Sequence, residues 1–236
     1  SCSGPHPLPL VKQLIKEVYA AGGLPFINFT TNSIDRELLM NADEEQLRIM
    51  AECDAARMKQ MDAYIGVRGE DNLSEMSDVP QDKLTMYDKL YTSPVHHDIR
   101  VPKTKWVVLR YPAPSMAQSA NKSLEAFEDY YFNVCNLDYG KMSKAMDPLA
   151  ELMNKTDRVR LTAKGTDITF SIKDIPSVKC AGECNIPDGE VYTAPVRESI
   201  NGTITYNTPS EYNGFKFENV SLTFKDGKIV DCSAND

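Results

Sequence analysis

The stretch Asn185-Ile186-Pro187-Asp188-Gly189-Glu190-Val191-Tyr192-Thr193-Ala194-Pro195 combines residue types that could do chemistry. It reads as a tight turn followed by a short strand. Pro187 fixes φ, Asp188 can hydrogen-bond its own backbone, and Gly189 can adopt a positive φ. Val191, Tyr192 and Thr193 are strand formers, and Pro195 ends the run. This geometry would hold Glu190 rigidly at the lip of a sheet, where a carboxylate can accept a metal ion. By residue statistics alone, a turn glutamate is most often simply solvated.

Other reactive side chains form weaker patterns. His96 and His97 are adjacent, so their rings cannot share one helix face, and a metal pair needs wider spacing. Both read as solvated residues near a helix end. His6 sits among prolines at the start of a helix, a place that can bind anions. No Gly-x-Gly-x-x-Gly or Walker-type loop accompanies it. No Gly-x-Ser-x-Gly occurs either, so a hydrolase triad has no support. Cys180 and Cys184 form a Cys-x-x-x-Cys pair, but no second pair or nearby His completes a zinc site. Asp167, Asp174 and Asp188 are ordinary turn or strand-start acids. Glu183 lies near Glu190 in sequence, a weak hint of paired carboxylates. Arg197 and Glu198 read as strand residues pointing to opposite faces.

The Asn185–Pro195 segment resembles the signature of the thermophilic-type metallo-aminopeptidases, the family of aminopeptidase T and aminopeptidase S. The likeness continues through Val196-Arg197-Glu198-Ser199-Ile200-Asn201-Gly202 and the hairpins beyond. It also runs backward through Trp106–Ser119 and Glu125–Tyr139, so it covers most of the chain. The resemblance implies an N-terminal α/β domain, a C-terminal metallopeptidase domain and a homodimer. It implies two divalent metals (zinc, cobalt, manganese or magnesium) held by two glutamates, two histidines and an aspartate. A bridging water would attack the bond after the first residue of a peptide with a free N-terminus. By motif, Glu190 is the first of the metal ligands. The other ligands are expected downstream of the last hairpin, beyond Asp236. The chain is therefore expected to be an N-terminal piece, inactive by itself and holding no metal firmly, of a metal-dependent aminopeptidase.

The elements that must position Glu190 follow from periodicity. Leu10, Val11, Leu14, Ile15, Val18 and Tyr19 recur at helical spacing, with Gly22-Gly23 as a stop. Leu24–Thr30 reads as a strand and Asp35–Met40 as a short helix. Asp43 is a good N-cap for a helix continuing through Leu47, Met50, Ala51, Met58 and Met61, whose methionines read as core. Ala63–Val67 is a buried strand, Gly69–Pro80 a loop, Gln81–His97 a helix, and Lys105–Tyr111 a strand. Ser123–Asn136 is an amphipathic helix. Tyr139–Asn154 is another, bent or restarted at Pro148. From Asp157 the period changes to two. Lys164-Gly165, Asn201-Gly202 and Asp226-Gly227 each read as hairpin turns. The fold class is thus an α/β domain with a parallel-type sheet and flanking helices over 1–155. An antiparallel β portion of a truncated catalytic domain follows over 156–236, α+β overall. Exposed strand edges are expected in that portion.

Composition bounds the remaining classes. The chain has 236 residues with 34 acidic against 26 basic side chains, a formal charge of -8. That balance argues against a nucleic-acid or anionic-membrane surface. No apolar run is long enough to span a bilayer, and no leader-like segment occurs. Six scattered cysteines in a chain of this size do not resemble a disulfide framework and point to a reducing, cytoplasmic setting. The entry into a helix within a few residues of Ser1 looks like the tail of a βα turn whose strand is lost. Without the resemblance, the absence of a complete catalytic set would favour a non-catalytic binding or assembly module.

Overall fold

A computed structural model of the protein describes residues 1–212 and 215–235; Asn213, Gly214 and Asp236 lie outside the described residues. The first part of the chain alternates strands and helices: β1 (Cys2–Ser3), α1 (Leu8–Ala20), β2 (Phe29–Thr30), α2 (Asn32–Asn41), α3 (Glu44–Met58) and β3 (Ala63–Arg68). A long helical stretch follows, α4 (Gln81–Tyr87), a π-helical segment (Asp88–Arg100) and α5 (Val101–Lys103). Then come β4 (Lys105–Arg110), α6 (Pro114–Ser119), α7 (Leu124–Cys135), α8 (Tyr139–Ala145) and α9 (Asp147–Lys155). The remainder is β-rich: β5 (Arg158–Ala163), β6 (Thr166–Ser171), β7 (Val178–Cys180), β8 (Asn185–Ile186), β9 (Glu190–Tyr192), β10 (Asn201–Thr205), β11 (Ser210–Tyr212), β12 (Phe215–Phe217), β13 (Ser221–Lys225) and β14 (Lys228–Ser233). Contacts divide the chain into two compact units, Ser1–Asn136 with Glu183–Pro187, and Leu137–Gly182 with Asp188–Asp236.

The first unit is built on a parallel sheet of order β2-β1-β3-β4-β8. Its strands alternate between two covered faces, as expected where helices flank both sides of a parallel sheet. Ile65 and Val67 of β3 pack with Cys2, Leu109 and the Leu10, Val11, Leu14 and Ile15 stripe of α1. Tyr64 packs instead with Ala51 and Met58 of α3 and with Val95 and Ile99 of the π-helical segment. Asp43 caps α3, its carboxylate accepting from the Gln46 amide at 2.8 Å, and Leu47 one turn later is wholly buried.

Three expectations change here. The opening strand is present: Cys2–Ser3 pairs in parallel with both Phe29–Thr30 and Val67–Arg68. Only Phe29–Thr30 of the Leu24–Thr30 run is paired, and Leu24, Phe26 and Ile27 stand exposed. The helix from Gln81 does not stop at His97 but winds on to Lys103 through the π-helical segment, with the Val101 amide bonded back to the His96 carbonyl.

The second unit carries an antiparallel sheet of order β14-β13-β10-β6-β5 and two ribbons, β7-β9 and β11-β12. Lys164-Gly165 and Asp226-Gly227 form hairpin turns, the latter with both residues at positive φ. Asn201-Gly202 does not. Arg197–Ser199 is a single 3-10 turn, not a strand, and Asn201 and Gly202 lie within β10. Gly202, at φ +115, is there because the backbone of β6 comes so close that a Cβ would stand 2.1 Å from the Asp167 carbonyl oxygen. Across this sheet Thr203 pairs with Thr223 and Thr205 with Ser221, each at 3.0 Å between hydroxyls. Among the described residues, no helix is long and apolar enough to cross a membrane.

Candidate metal-ligand site

The Glu190 segment starts as β8, which adds in parallel to β4 with Asn185 opposite Val108 and Ile186 opposite Leu109. After the cis Ile186–Pro187 bond the chain enters the second unit at Asp188. Asp188 accepts two backbone hydrogen bonds, Oδ2 from the Gly182 amide and Oδ1 from the Gly189 amide, both at 3.0 Å. Gly189 takes φ +149, and Glu190 opens β9. This is the turn and strand that Pro187, Asp188, Gly189 and Val191 called for.

The partner strand is equally constrained. In the β7–β9 ribbon Val178 opposes Tyr192, Lys179 opposes Val191, and Cys180 opposes Glu190. Directly opposed residues share a face, so the Cys180 and Glu190 side chains lie side by side. Lys179 donates to the Ser143 carbonyl at 3.0 Å and pairs with Asp147 at 2.5 Å, which ties β7 to α8 and α9. Thr193 donates to the Pro176 carbonyl at 3.2 Å at the other end of the ribbon. Gly182 adopts φ +93 with the Tyr139 ring where a side chain would be; a Cβ would lie 2.9 Å from the ring. The Glu190 backbone is thus fixed from both directions, while its side chain is exposed and makes no hydrogen bond or ion pair among the described residues.

A carboxylate projecting from a backbone fixed in this way has the chemistry of a divalent-cation ligand, since carboxylate oxygens coordinate magnesium and manganese and occur also among zinc ligands. Among the described residues no group of three His, Cys, Asp or Glu could hold a metal ion. The described residues therefore hold no complete metal centre around Glu190. Proline, acid and glycine signal the turn in the sequence, but nothing in a linear pattern signals that Gly182 offers its amide to Asp188 six residues away.

Besides Cys180, which lies opposite Glu190, the candidates have surroundings of their own. His96 is not solvated: its Nδ1 accepts from Arg100 Nε at 3.1 Å, and its ring meets Tyr64 edge-on with centroids 5.9 Å apart. Burial first, then the Arg100 charge, lowers its pKa to about 4. His97 points to solvent. His6 Nε2 lies 2.5 Å from Asp71 Oδ1, and an acid in that position disfavours an anion site. Asp167 forms a two-pronged pair with Arg160, both contacts at 2.8 Å, whose hydrogen bonding lowers the carboxyl pKa. All six cysteines are unbridged.

The family profile described as thermophilic metalloprotease (M29) matches residues 3–236. The chain belongs to the thermophilic metalloprotease (M29) family. Similar proteins include aminopeptidase PepS of Streptococcus thermophilus, 24% identical over 259 residues that cover 96% of this chain and 62% of PepS. Aminopeptidase 2 of Geobacillus stearothermophilus is 48% identical over a shorter stretch of 50 residues, 21% of this chain and 12% of that protein. The solved structure of wild-type AmpT from Thermus thermophilus shares the fold, with a TM-score of 0.77 at 19% identity over 99% of this chain and 65% of that one. The chain thus spans a little under two thirds of the length of PepS and of AmpT.

Proposed function

We propose that Glu190 is one ligand of a two-metal centre in an aminopeptidase to which this M29 chain contributes an α/β domain over 1–155 and the first β portion of the catalytic domain over 156–236. The observation that carries the reading is a family match along nearly the whole chain, joined to a free carboxylate at the start of a doubly anchored strand. The substrate class is peptides with a free N-terminus, in line with the aminopeptidase names of the relatives. Two divalent cations, when bound, supply Lewis acidity and a water of lowered pKa. The chain's own task is to present the Glu190 carboxylate without further reorganisation. Without a group of three ligands among its described residues, the 236-residue chain by itself is inactive and holds metal weakly. The full-length enzyme is a cytoplasmic homodimer.

The test uses full-length protein and the 236-residue chain side by side, on aminoacyl reporter substrates with added divalent metal and a chelator control. Chelator-sensitive turnover in the full-length protein, absent in the shorter chain and in full-length Glu190→Gln, is the expected result. Turnover by the shorter chain would contradict the reading of an incomplete centre. Full activity in Glu190→Gln would remove Glu190 from the centre.

A further inference from the structure

We infer that Asp188 is the positioning residue of Glu190: its carboxylate fixes the backbone from which the ligand projects, and metal affinity depends on it. The inference rests on the reading of Glu190 as a metal ligand. Three observations carry it. The two oxygens of Asp188 are divided between the Gly182 and Gly189 amides, so one side chain closes both ends of the 183–187 excursion. On the inner side of that closure lies the first rung of the β7–β9 ladder, Cys180 opposite Glu190. Gly182 itself is held by the Tyr139 ring and by its φ of +93, so the amide offered to Asp188 has a fixed direction.

The arrangement has a physical consequence. Glu190 is the first residue of its strand, directly after the loop that the Asp188 clamp closes, and is exposed. Among the described residues its side chain makes no hydrogen bond or ion pair that would hold it ready for a cation. Without the clamp, the strand start would have to be ordered on metal binding, and affinity would fall by that ordering cost. Groups that orient a ligand from outside the coordination sphere typically change metal affinity by about 10- to 100-fold when removed. Replacing the carboxylate with an amide keeps the size of Asp188 but sets an N–H against one of the two backbone N–H groups. Asp188→Asn therefore removes one arm of the clamp without opening a cavity.

The experiment measures the affinity of metal-free full-length protein for Zn²⁺ and Mn²⁺ by competition with a chromogenic chelator. The variants are Asp188→Asn, Glu190→Gln and, as a turn-aspartate control, Asp174→Asn, with the thermal midpoint of each metal-free protein recorded alongside. Asp188→Asn is expected to bind metal about 10- to 100-fold more weakly, with an unchanged metal-free midpoint and with kcat restored at saturating metal; Asp174→Asn is expected to bind like the wild type. Wild-type affinity in Asp188→Asn, beside weakened binding in Glu190→Gln, overturns this inference alone. A lowered midpoint with unchanged affinity makes Asp188 a structural residue only and overturns it too. Wild-type affinity in Glu190→Gln overturns the ligand reading and this inference with it.

Discussion

Glu190 and His96 show how differently two titratable side chains can be set by their surroundings. Glu190 is fixed in backbone and free in side chain, which suits a ligand. His96 is enclosed by Tyr64, Tyr91 and Arg100, which suits a packed neutral imidazole. The charges of Arg100, His97 and Arg68 oppose its protonation, and Asp54 favours it only weakly. With a folded pKa of about 4 against an ordinary 6.5, the unfolded chain binds the extra proton first as pH falls. The stability that neutral His96 contributes is thus complete above pH 6.5 and is lost as pH falls towards about 4. After allowance for partial exposure the loss is on the order of 1–2 kcal/mol. Urea midpoints at pH 7 and pH 5 should converge when wild type is compared with His96→Gln, and an equal pH slope in both proteins would contradict the assignment. The adjacency of His96 and His97 was enough to reject a shared helix face. It could not reveal which ring turns inward, because that depends on strand residues some thirty positions earlier and on the π-helical winding.

Elements were legible where one periodicity dominated. The α1 stripe, the Asp43 cap, the Lys105–Arg110 strand and the Asp226-Gly227 turn all follow from local rules that tertiary packing reinforces. Two-residue strands carry no period, so β1 escaped notice although it sits inside the parallel sheet. Asn201-Gly202 misled for a different reason. Its glycine answers a close approach of β6 rather than a turn, and the two demands look alike in sequence. Gly202→Ala should therefore destabilise strongly, by about 3 kcal/mol or more, through a clash with the Asp167 carbonyl and an unfavourable φ. Gly140→Ala in α8, where a Cβ meets only the Asp138 carboxylate at 3.4 Å, should stabilise by about 0.5–1 kcal/mol. Chemical denaturation of both variants checks the pair. A tolerated alanine at 202 would show that the strands can part without cost.

At the scale of the molecule, the second unit buries little. Ile168 is the buried side chain of the five-stranded sheet among the described residues, while Ile229 and Val230 of the outer strand β14 are more than half exposed. An apolar outer strand with unpaired backbone groups invites edge pairing. The 236-residue chain is expected to self-associate in light scattering at micromolar concentration, and Val230→Lys should reduce this; a strictly monomeric wild-type chain would count against it. The family and the order of the α/β and β parts were legible because the signature around Glu190 is local and the change of period after Asp157 is abrupt. The completeness of a metal centre is not a local property, and only the geometry reveals that the described residues gather no group of three potential ligands. The most direct measurement is metal binding and reporter turnover by full-length wild type and Glu190→Gln, each with and without a chelator. Loss of both metal and rate in Glu190→Gln is the expected result. A variant that keeps its metals and its rate would contradict the role assigned to Glu190.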